Sequence, residues 1–411
     1  MKININFLDR RRFILYASVG LIAIGLSGAA WHLKTKPLKF QTSINLTETS
    51  HENSISEQTS EAMIPTDNEE TATPIENDGS GLETDSSISP QRLDDFSNNM
   101  IGGGPPQDGI PPIEEPNYVS ILQARSFLDD NDVVFLVENS NPVKMIPQKI
   151  LVWHEIVNER IDGEKVSITY CPLTGSVIGY KGKIGEIDTT FGTSGKLLNS
   201  NLVMYDRSTE SQWPQILGVA VTGSQRGKKL EKFPIIWTTW KKARDKYPNA
   251  IVLSTETGFQ KSYDRDPYGS YQKNGTYYDT GGPIFSIMSK DDRLPEKEIV
   301  IGIKIHNSEL AVVKTKIAKD TVVNLSLKEE PIVAFFDDTL DTVRVYSRKI
   351  GDHELNFKLN NGMISTEDST WNIFGESIEG KMKGTELKII NSFDVMWFAW
   401  AAYYPETVIY E

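Results

Sequence analysis

Cys171 is the only cysteine of this 411-residue chain, and His154 precedes it by seventeen residues. The two side chains are the residues best suited to chemistry if they meet in the fold. A thiol beside an imidazole can act as a nucleophile with its base, or as two ligands of a soft metal ion. The spacing of these residues is therefore compatible with either a nucleophilic site or a metal site at one position.

A hairpin is predicted to bring the two side chains together. The runs Ile150–Val157 and Val166–Cys171 are rich in β-branched residues, and Asp162-Gly163 lies between them. Asp-Gly between two such runs favours a two-residue hairpin loop. That loop sets the register in which His154 faces Cys171, with Cβ atoms roughly 5 Å apart.

The first interpretation is a metal-linked or redox site, and it is the one the sequence favours slightly. Cys171 and His154 suit copper or zinc, and the thioether of Met204 could add a third ligand. Copper centres of this kind generally have a second histidine, so this set lacks at least one ligand. Glu155 follows His154 directly, but in a regular strand it would point to the opposite face.

The second interpretation is a cysteine nucleophile of a hydrolase or transferase of the cell envelope. His154 would stabilise the thiolate or accept the thiol proton, and Asn158 would orient the histidine. Further polar residues are predicted to line the same site: Glu155, Tyr170, Thr174, Asn199, Asn201 and Asp206.

The third interpretation is a non-catalytic binding or scaffold module. In that case Cys171 and His154 are buried structural residues, as lone cysteines often are. The substrate, ligand and protein partner are not specified by any of the three interpretations.

The N-terminal part of the chain predicts a membrane anchor and a tether. Residues 1–12 form a basic cytoplasmic region, and residues 13–31 are nineteen uncharged residues, enough for one membrane-spanning helix. Twin arginines before this run also fit an export signal that is later cleaved. Residues 32–116 are predicted to be a disordered spacer, since residues 41–116 contain 16 Asp or Glu and one basic residue, Arg92. The folded part is thereby placed outside the cytoplasm, and it carries no basic stripe for nucleic acid.

Two segments of the remaining chain resemble each other. Trp213, Trp237-Thr-Thr-Trp240 and Tyr247-Pro248 recur as Trp371, Trp397-Phe-Ala-Trp400 and Tyr404-Pro405, with the same glycine spacings between them. We predict a mainly β (α+β) fold of two tandem homologous units, 117–275 and 276–411. Each unit has one short helix, over 237–247 and 395–404, and the units pack about a pseudo-twofold axis. Only the first unit carries the histidine–cysteine pair.

Several motifs resemble the domain-of-unknown-function family 3179. They are Trp153-His-Glu-Ile-Val-Asn158, Thr169-Tyr-Cys-Pro-Leu-Thr174, Phe191-Gly-Thr-Ser-Gly195, Asn199-Ser-Asn-Leu-Val-Met-Tyr-Asp206 and Asp266-Pro-Tyr-Gly-Ser-Tyr271. The resemblance implies an exported or membrane-anchored protein of bacteria or archaea and brings no established activity. Family members often have a second cysteine where this chain has Thr174, so a Cys-x-x-Cys mechanism is not supported here.

Overall fold

The computed structural model of the protein describes residues 82–411. The predicted basic region 1–12, the predicted anchor 13–31 and the first part of the predicted spacer lie outside the described residues. Within the described part, no helix has both the length and the apolar character needed to cross a membrane.

Strands greatly outnumber helices in this part of the chain. The helices are α1 Pro90–Asn98, α2 Ile121–Ala124, α3 Gln148–Leu151, α4 Trp240–Lys246, α5 Lys314–Asp320 and α6 Trp397–Tyr403. The strands before residue 254 are β1 Ile101–Gly102, β2 Tyr118–Ser120, β3 Val133–Val137, β4 Lys144–Pro147, β5 Ile156–Ile161, β6 Glu164–Cys171, β7 Ser176–Lys181, β8 Lys183–Ile184, β9 Ile187–Asp188, β10 Phe191–Leu198, β11 Asn201–Asp206, β12 Gln212–Pro214, β13 Lys232–Phe233, β14 Ile236–Thr239 and β15 Ile251–Leu253. The later strands are β16 Ile299–Ile305, β17 Ser308–Val313, β18 Val322–Leu327, β19 Glu330–Asp337, β20 Thr342–Ser347, β21 Lys349–Ile350, β22 His353–Glu354, β23 Lys358–Asn360, β24 Met363–Ser365, β25 Ser369–Trp371, β26 Ser377–Gly380, β27 Ser392–Met396 and β28 Val408–Tyr410. The prediction of a mainly β fold is confirmed.

The first half of the described chain builds three larger sheets. Their strand orders are β14-β3-β4-β15-β2, β13-β7-β6-β5 and β1-β10-β11-β12. Strand β15 runs parallel to β4, whereas the remaining neighbours are antiparallel. Helix α4 follows β14 and ends before Tyr247-Pro248, because the residue before a proline disfavours helical geometry.

The second half builds sheets with the strand orders β27-β16-β17-β28, β18-β19-β20 and β23-β24-β25-β26. Strand β28 runs parallel to β17. Helix α6 follows β27 and ends before Tyr404-Pro405. The predicted helices are therefore present in both halves. Helix α4 begins at Trp240, because Trp237 belongs to β14, whereas α6 begins at Trp397, the first tryptophan of its pair.

The end of the predicted spacer is ordered, which corrects the prediction of disorder over 82–116. Ser89 precedes helix α1 as its N-cap, and its hydroxyl accepts a hydrogen bond from the Arg92 N–H. Its Leu93 and Phe96 side chains are buried in the same core cluster as the α6 residues. Composition averaged over the segment missed this helix, because two well-placed apolar side chains are enough to dock one short helix onto an existing core.

The predicted hairpin is present with the predicted loop. Ile161 lies opposite Glu164, and the loop residues Asp162 and Gly163 both have positive φ, 51° and 87°. Such a conformation is that of a two-residue turn matched to strand twist. The regular ladder of β5 and β6 extends only to Ile156 opposite Thr169.

Residues 254–298 connect the two halves without regular helix or strand. This connector contains six tyrosine or acidic residues that pack on the end of β6 or beside it: Tyr263, Asp266, Tyr268, Tyr271, Tyr277 and Tyr278. The connector therefore forms one wall of the region around Cys171.

Candidate functional site

His154 is fixed by two hydrogen bonds from its ring. The residue lies just after α3, and its Nδ1 is 2.7 Å from the Pro111 carbonyl oxygen, while its Nε2 is 2.6 Å from the Tyr263 hydroxyl. The side chain is fully buried, and burial lowers its pKa from the ordinary histidine value. A ring whose two nitrogens are both engaged has no free position for a metal ion or for the thiol.

Cys171 ends β6 and is buried in an apolar cluster that also contains Met204 and Leu202. The Leu202 N–H donates to Sγ over 3.3 Å, and Sγ lies 3.9 Å from the Ser200 carbonyl oxygen as a weak donor. Burial, together with the charge of the neighbouring Glu155 carboxyl, raises the pKa of the thiol to about 11. The thiol is thus protonated at neutral pH unless a base takes the proton.

Strand pairing does not set His154 opposite Cys171, which corrects the predicted geometry. Glu155 has a φ of 59°, and this left-handed residue interrupts the alternation of side chains before β5 begins. The Tyr170 N–H donates to the Glu155 carbonyl oxygen over 2.7 Å, so Glu155 lies beside the last residues of β6. The predicted opposite-face position of Glu155 assumed a regular strand and does not hold.

Glu155 is the ionisable neighbour of the thiol. The residue is only 7% exposed, and its carboxyl oxygens have no hydrogen bond or ion pair with residues 82–411 but keep a slight contact with solvent. Burial raises the pKa of Glu155 to about 8. A buried carboxyl without a partner is costly to the fold, and groups of this kind concentrate at functional sites.

Tyr268 of the connector faces the same pair. Burial raises its pKa, and the charges of Glu155, Cys171 and Asp266 raise it further. The ring packs against the apolar clusters of both β6 faces and of α6. Tyr268 therefore lies on the connector side of Glu155 and Cys171, which we call the acid–thiol pair.

A hydrogen-bond network lies behind Tyr268. The Gln148 amide donates to the Asp266 carboxylate over 2.9 Å and to the Tyr278 hydroxyl over 3.3 Å. The Tyr170 and Tyr271 hydroxyls are 3.1 Å apart, and the Tyr278 hydroxyl also donates to Asp266 over 2.8 Å. The network fixes the connector onto β6, since each of these groups is tied to at least one other.

The predicted site residue Asn158 has a structural role. Its amide donates to the Phe191 carbonyl oxygen over 2.8 Å and to Glu114 over 3.2 Å, and its oxygen accepts from Ser167 and from the Phe191 N–H. Asn158 thus ties β5 to β10 and does not contact His154 through any of these bonds.

Three of the other predicted lining residues also hold the fold together. Asn201 donates to the Thr174 hydroxyl over 3.1 Å and to Gln215 over 2.8 Å, close behind the turn that follows Cys171. Asp206 accepts from the Trp213 indole over 3.0 Å and caps the turn before β12. Thr174 additionally lowers the pKa of the Cys171 thiol, against the larger effects of burial and Glu155.

Asn199 occupies the tip of the β10–β11 hairpin with a φ of 52°. Its oxygen accepts from the Met288 N–H over 2.8 Å, whereas its buried amide nitrogen has no partner among the described residues. Of the predicted lining residues, Glu155 and Tyr170 border the thiol or its network most directly.

The residues that the sequence did not single out are Gln148, Tyr263 and Tyr268. A signal for them existed, since four tyrosines fall within 268–278, in a segment without helical or strand periodicity. Tyrosines kept in an irregular segment indicate rings that need both burial and a polar partner.

The arrangement offers one thiol and one carboxyl that influence each other electrostatically, rather than a set of metal ligands. Within residues 82–411 there is no group of three or more His, Cys, Asp or Glu side chains placed to hold a metal ion. Met204 shares the apolar cluster of Cys171, while His154 is engaged elsewhere.

The model of the family described as Protein of unknown function (DUF3179) matches residues 107–407, which span both halves and the connector. The chain belongs to this family. No curated protein and no solved structure matches the chain.

Proposed function

We propose that Cys171 is the reactive group of a cysteine-dependent hydrolase or transferase, with Glu155 as its proton acceptor. The observation that carries this proposal is the buried Glu155 carboxyl, which has no partner among the described residues and lies beside the chain's only thiol. In the attack on an acyl group, Sγ forms a bond to the carbonyl carbon and the bond to the leaving group breaks. The thiol proton passes to Glu155 and from there to the leaving group.

The alternative metal-linked or redox function on Cys171, His154 and Met204 has less support. His154 would have to release both the Pro111 carbonyl and the Tyr263 hydroxyl before it could bind copper or zinc. The non-catalytic binding or scaffold function remains the second candidate, because the raised thiol pKa favours an inert cysteine.

We further propose that the two halves are a tandem duplication. The strand orders β14-β3-β4-β15 and β27-β16-β17-β28 correspond, each with its last strand parallel to its neighbour. The meanders β5-β6-β7 and β18-β19-β20 also correspond. In that alignment Cys171 and Asp337 both end the middle strand, and Asp337 forms a buried ion pair with Arg344 instead of an acid–thiol pair.

We also propose that residues 13–31 anchor the protein in the membrane, with the folded part outside the cytoplasm. The support is the uncharged nineteen-residue run between Arg12 and the lysines from Lys34 onward. A chain on this side of the membrane exposes its thiol to oxidation, which is consistent with keeping Cys171 buried.

The test of the thiol function measures alkylation of the full-length protein by iodoacetamide from pH 6 to 10, followed by mass spectrometry. Because Cys171 is the only cysteine, all label reports on this site. If Glu155 accepts the thiol proton, the rate rises as Glu155 ionises near pH 8, and Glu155→Gln slows labelling at pH 8 about tenfold or more. Glu164→Gln on the same hairpin, 63% exposed, is the matched control and should label like the wild type.

Faster labelling of Glu155→Gln than of the wild type would contradict the proposal. If the carboxylate only disfavours the thiolate, removing its charge lowers the thiol pKa, and Glu155→Gln labels faster than the wild type. Absence of labelling in the folded wild type at every pH, with full labelling in urea, would favour the scaffold function instead.

A further inference from the structure

A second candidate site is a mainly apolar pocket of about 270 Å³ between the two halves of the described chain. We call it the interface pocket. The residues on which the argument depends are Trp237 and Tyr271 from the first half and the connector, and Lys314, Phe336, Asp341 and Asp394 from the second half. The pocket exists only because the two halves pack together.

Three aromatic rings form its walls. The Trp237 and Tyr271 rings stand nearly at right angles, 83° apart, with centroids separated by 5.2 Å. Tyr271 is held in place by Tyr278, which stacks on it at 3.7 Å and 16°. Phe336 of β19 provides the third ring, and all three lining rings are partly exposed. A ligand in the pocket would therefore contact the faces or edges of three aromatic rings, two of which are held nearly perpendicular to each other.

The charges at the pocket leave a net negative balance. Lys314 is paired with Asp394 over 2.7 Å, so these two lining charges neutralise each other. Asp341 also lines the pocket, at its solvent-exposed edge, and its carboxylate has no hydrogen bond or ion pair with any residue of 82–411. An occupant that carries one positive charge would complement this carboxylate.

We propose that the interface pocket binds a small organic cation of the alkylammonium or quaternary ammonium class. Aromatic rings arranged around a pocket attract such cations through their quadrupoles. The volume is slightly below the range typical for drug-sized ligands, so the ligand is small. A neutral apolar molecule would contact the rings but would gain no attraction from the Asp341 carboxylate. The proposal does not depend on the reactivity of Cys171.

The test is isothermal titration of the full-length protein with choline chloride, with sodium chloride as the ionic-strength control. The neutral probe is 3,3-dimethyl-1-butanol, which has the shape of choline without its charge. We expect choline to bind at least about tenfold more tightly than the neutral probe. Phe336→Leu, which keeps an apolar side chain but removes the ring, should weaken choline binding about tenfold. Asp341→Asn should weaken it by about fivefold or more.

Asp338→Asn is the matched control, because Asp338 is exposed on the same β19–β20 turn and does not line the pocket. Binding to this variant should equal that of the wild type, with thermal unfolding used to verify that each variant is folded. Equal affinity for choline and the neutral probe would overturn the proposal, since the pocket would then select only apolar shape. It would also be overturned by choline binding that is unchanged in both Phe336→Leu and Asp341→Asn, or by no binding at all to the folded protein.

Discussion

The buried carboxyl of Glu155 makes a quantitative prediction about stability. In the folded protein its pKa is about 8, and in the unfolded chain it has the ordinary value of 4.5. Below pH 4.5 both states hold the proton, and Glu155 contributes nothing to the pH dependence. Between pH 4.5 and 8 only the folded state retains the proton, so the free energy of unfolding falls as the pH rises.

The size of the effect follows from the same two values. Each pH unit over which the folded state holds one extra proton corresponds to about 1.4 kcal/mol. Glu155 therefore destabilises the fold by about 5 kcal/mol above pH 8, relative to pH 4.5. Glu155→Gln has no titrating group at this position, so its free energy of unfolding should not show this decrease. The variant should gain stability over the wild type progressively from pH 4.5 to 8 and then remain at a constant difference.

The assay is urea unfolding of both proteins at several values between pH 4.5 and 9, followed by tryptophan fluorescence. The difference between the two free energies cancels the titration of groups common to both. Glu186→Gln, whose side chain is 87% exposed, is the control and should follow the wild-type curve. A difference between Glu155→Gln and wild type that stays constant across this pH range would refute the reasoning, because the carboxyl would then titrate alike in both states.

Two further predictions concern contacts that the sequence did not reveal. Phe96→Ala should destabilise the protein by about 3–5 kcal/mol in urea unfolding, because Phe96 is 1% exposed and its ring centroid lies 5.7 Å from that of Tyr403. The control is Leu122→Ala, which should change the free energy of unfolding by no more than about 0.5 kcal/mol, because Leu122 is 77% exposed. Similar losses for both variants would contradict the docking of α1 onto the core. Arg344→Met should cost about 3–5 kcal/mol, because it leaves the buried Asp337 carboxylate without its cation, and adding Asp337→Asn should recover part of that loss. A double variant as unstable as Arg344→Met would contradict this account.

Local patterns were sufficient for much of the fold. The Asp-Gly loop fixed the register of β5 and β6 because a two-residue loop leaves no freedom in pairing. The Tyr-Pro pairs ended α4 and α6, and a short strand follows each of them, Ile251–Leu253 and Val408–Tyr410. Five of the tryptophans within residues 82–411 are buried in the core: Trp213, Trp240, Trp371, Trp397 and Trp400.

The partner of Cys171 could not be obtained in the same way. One residue with positive φ, Glu155, reversed the alternation that the pairing argument assumed. Positive φ at a glutamate has no sequence signature comparable to glycine or asparagine, because it is imposed by the surrounding packing. Both ring nitrogens of His154 form hydrogen bonds with residues distant in sequence, Pro111 and Tyr263.

The sequence by itself determined that this chain has one thiol, a mainly β folded part and a hairpin that ends at Cys171. Those features follow from local backbone preferences and from residue types that are visible in the chain. Only the tertiary structure decided that a buried carboxyl rather than an imidazole lies beside the thiol, that helix α1 docks onto the core, and that the two halves enclose an aromatic pocket. Each of these depends on contacts between residues far apart in sequence, whose free energies no local pattern encodes.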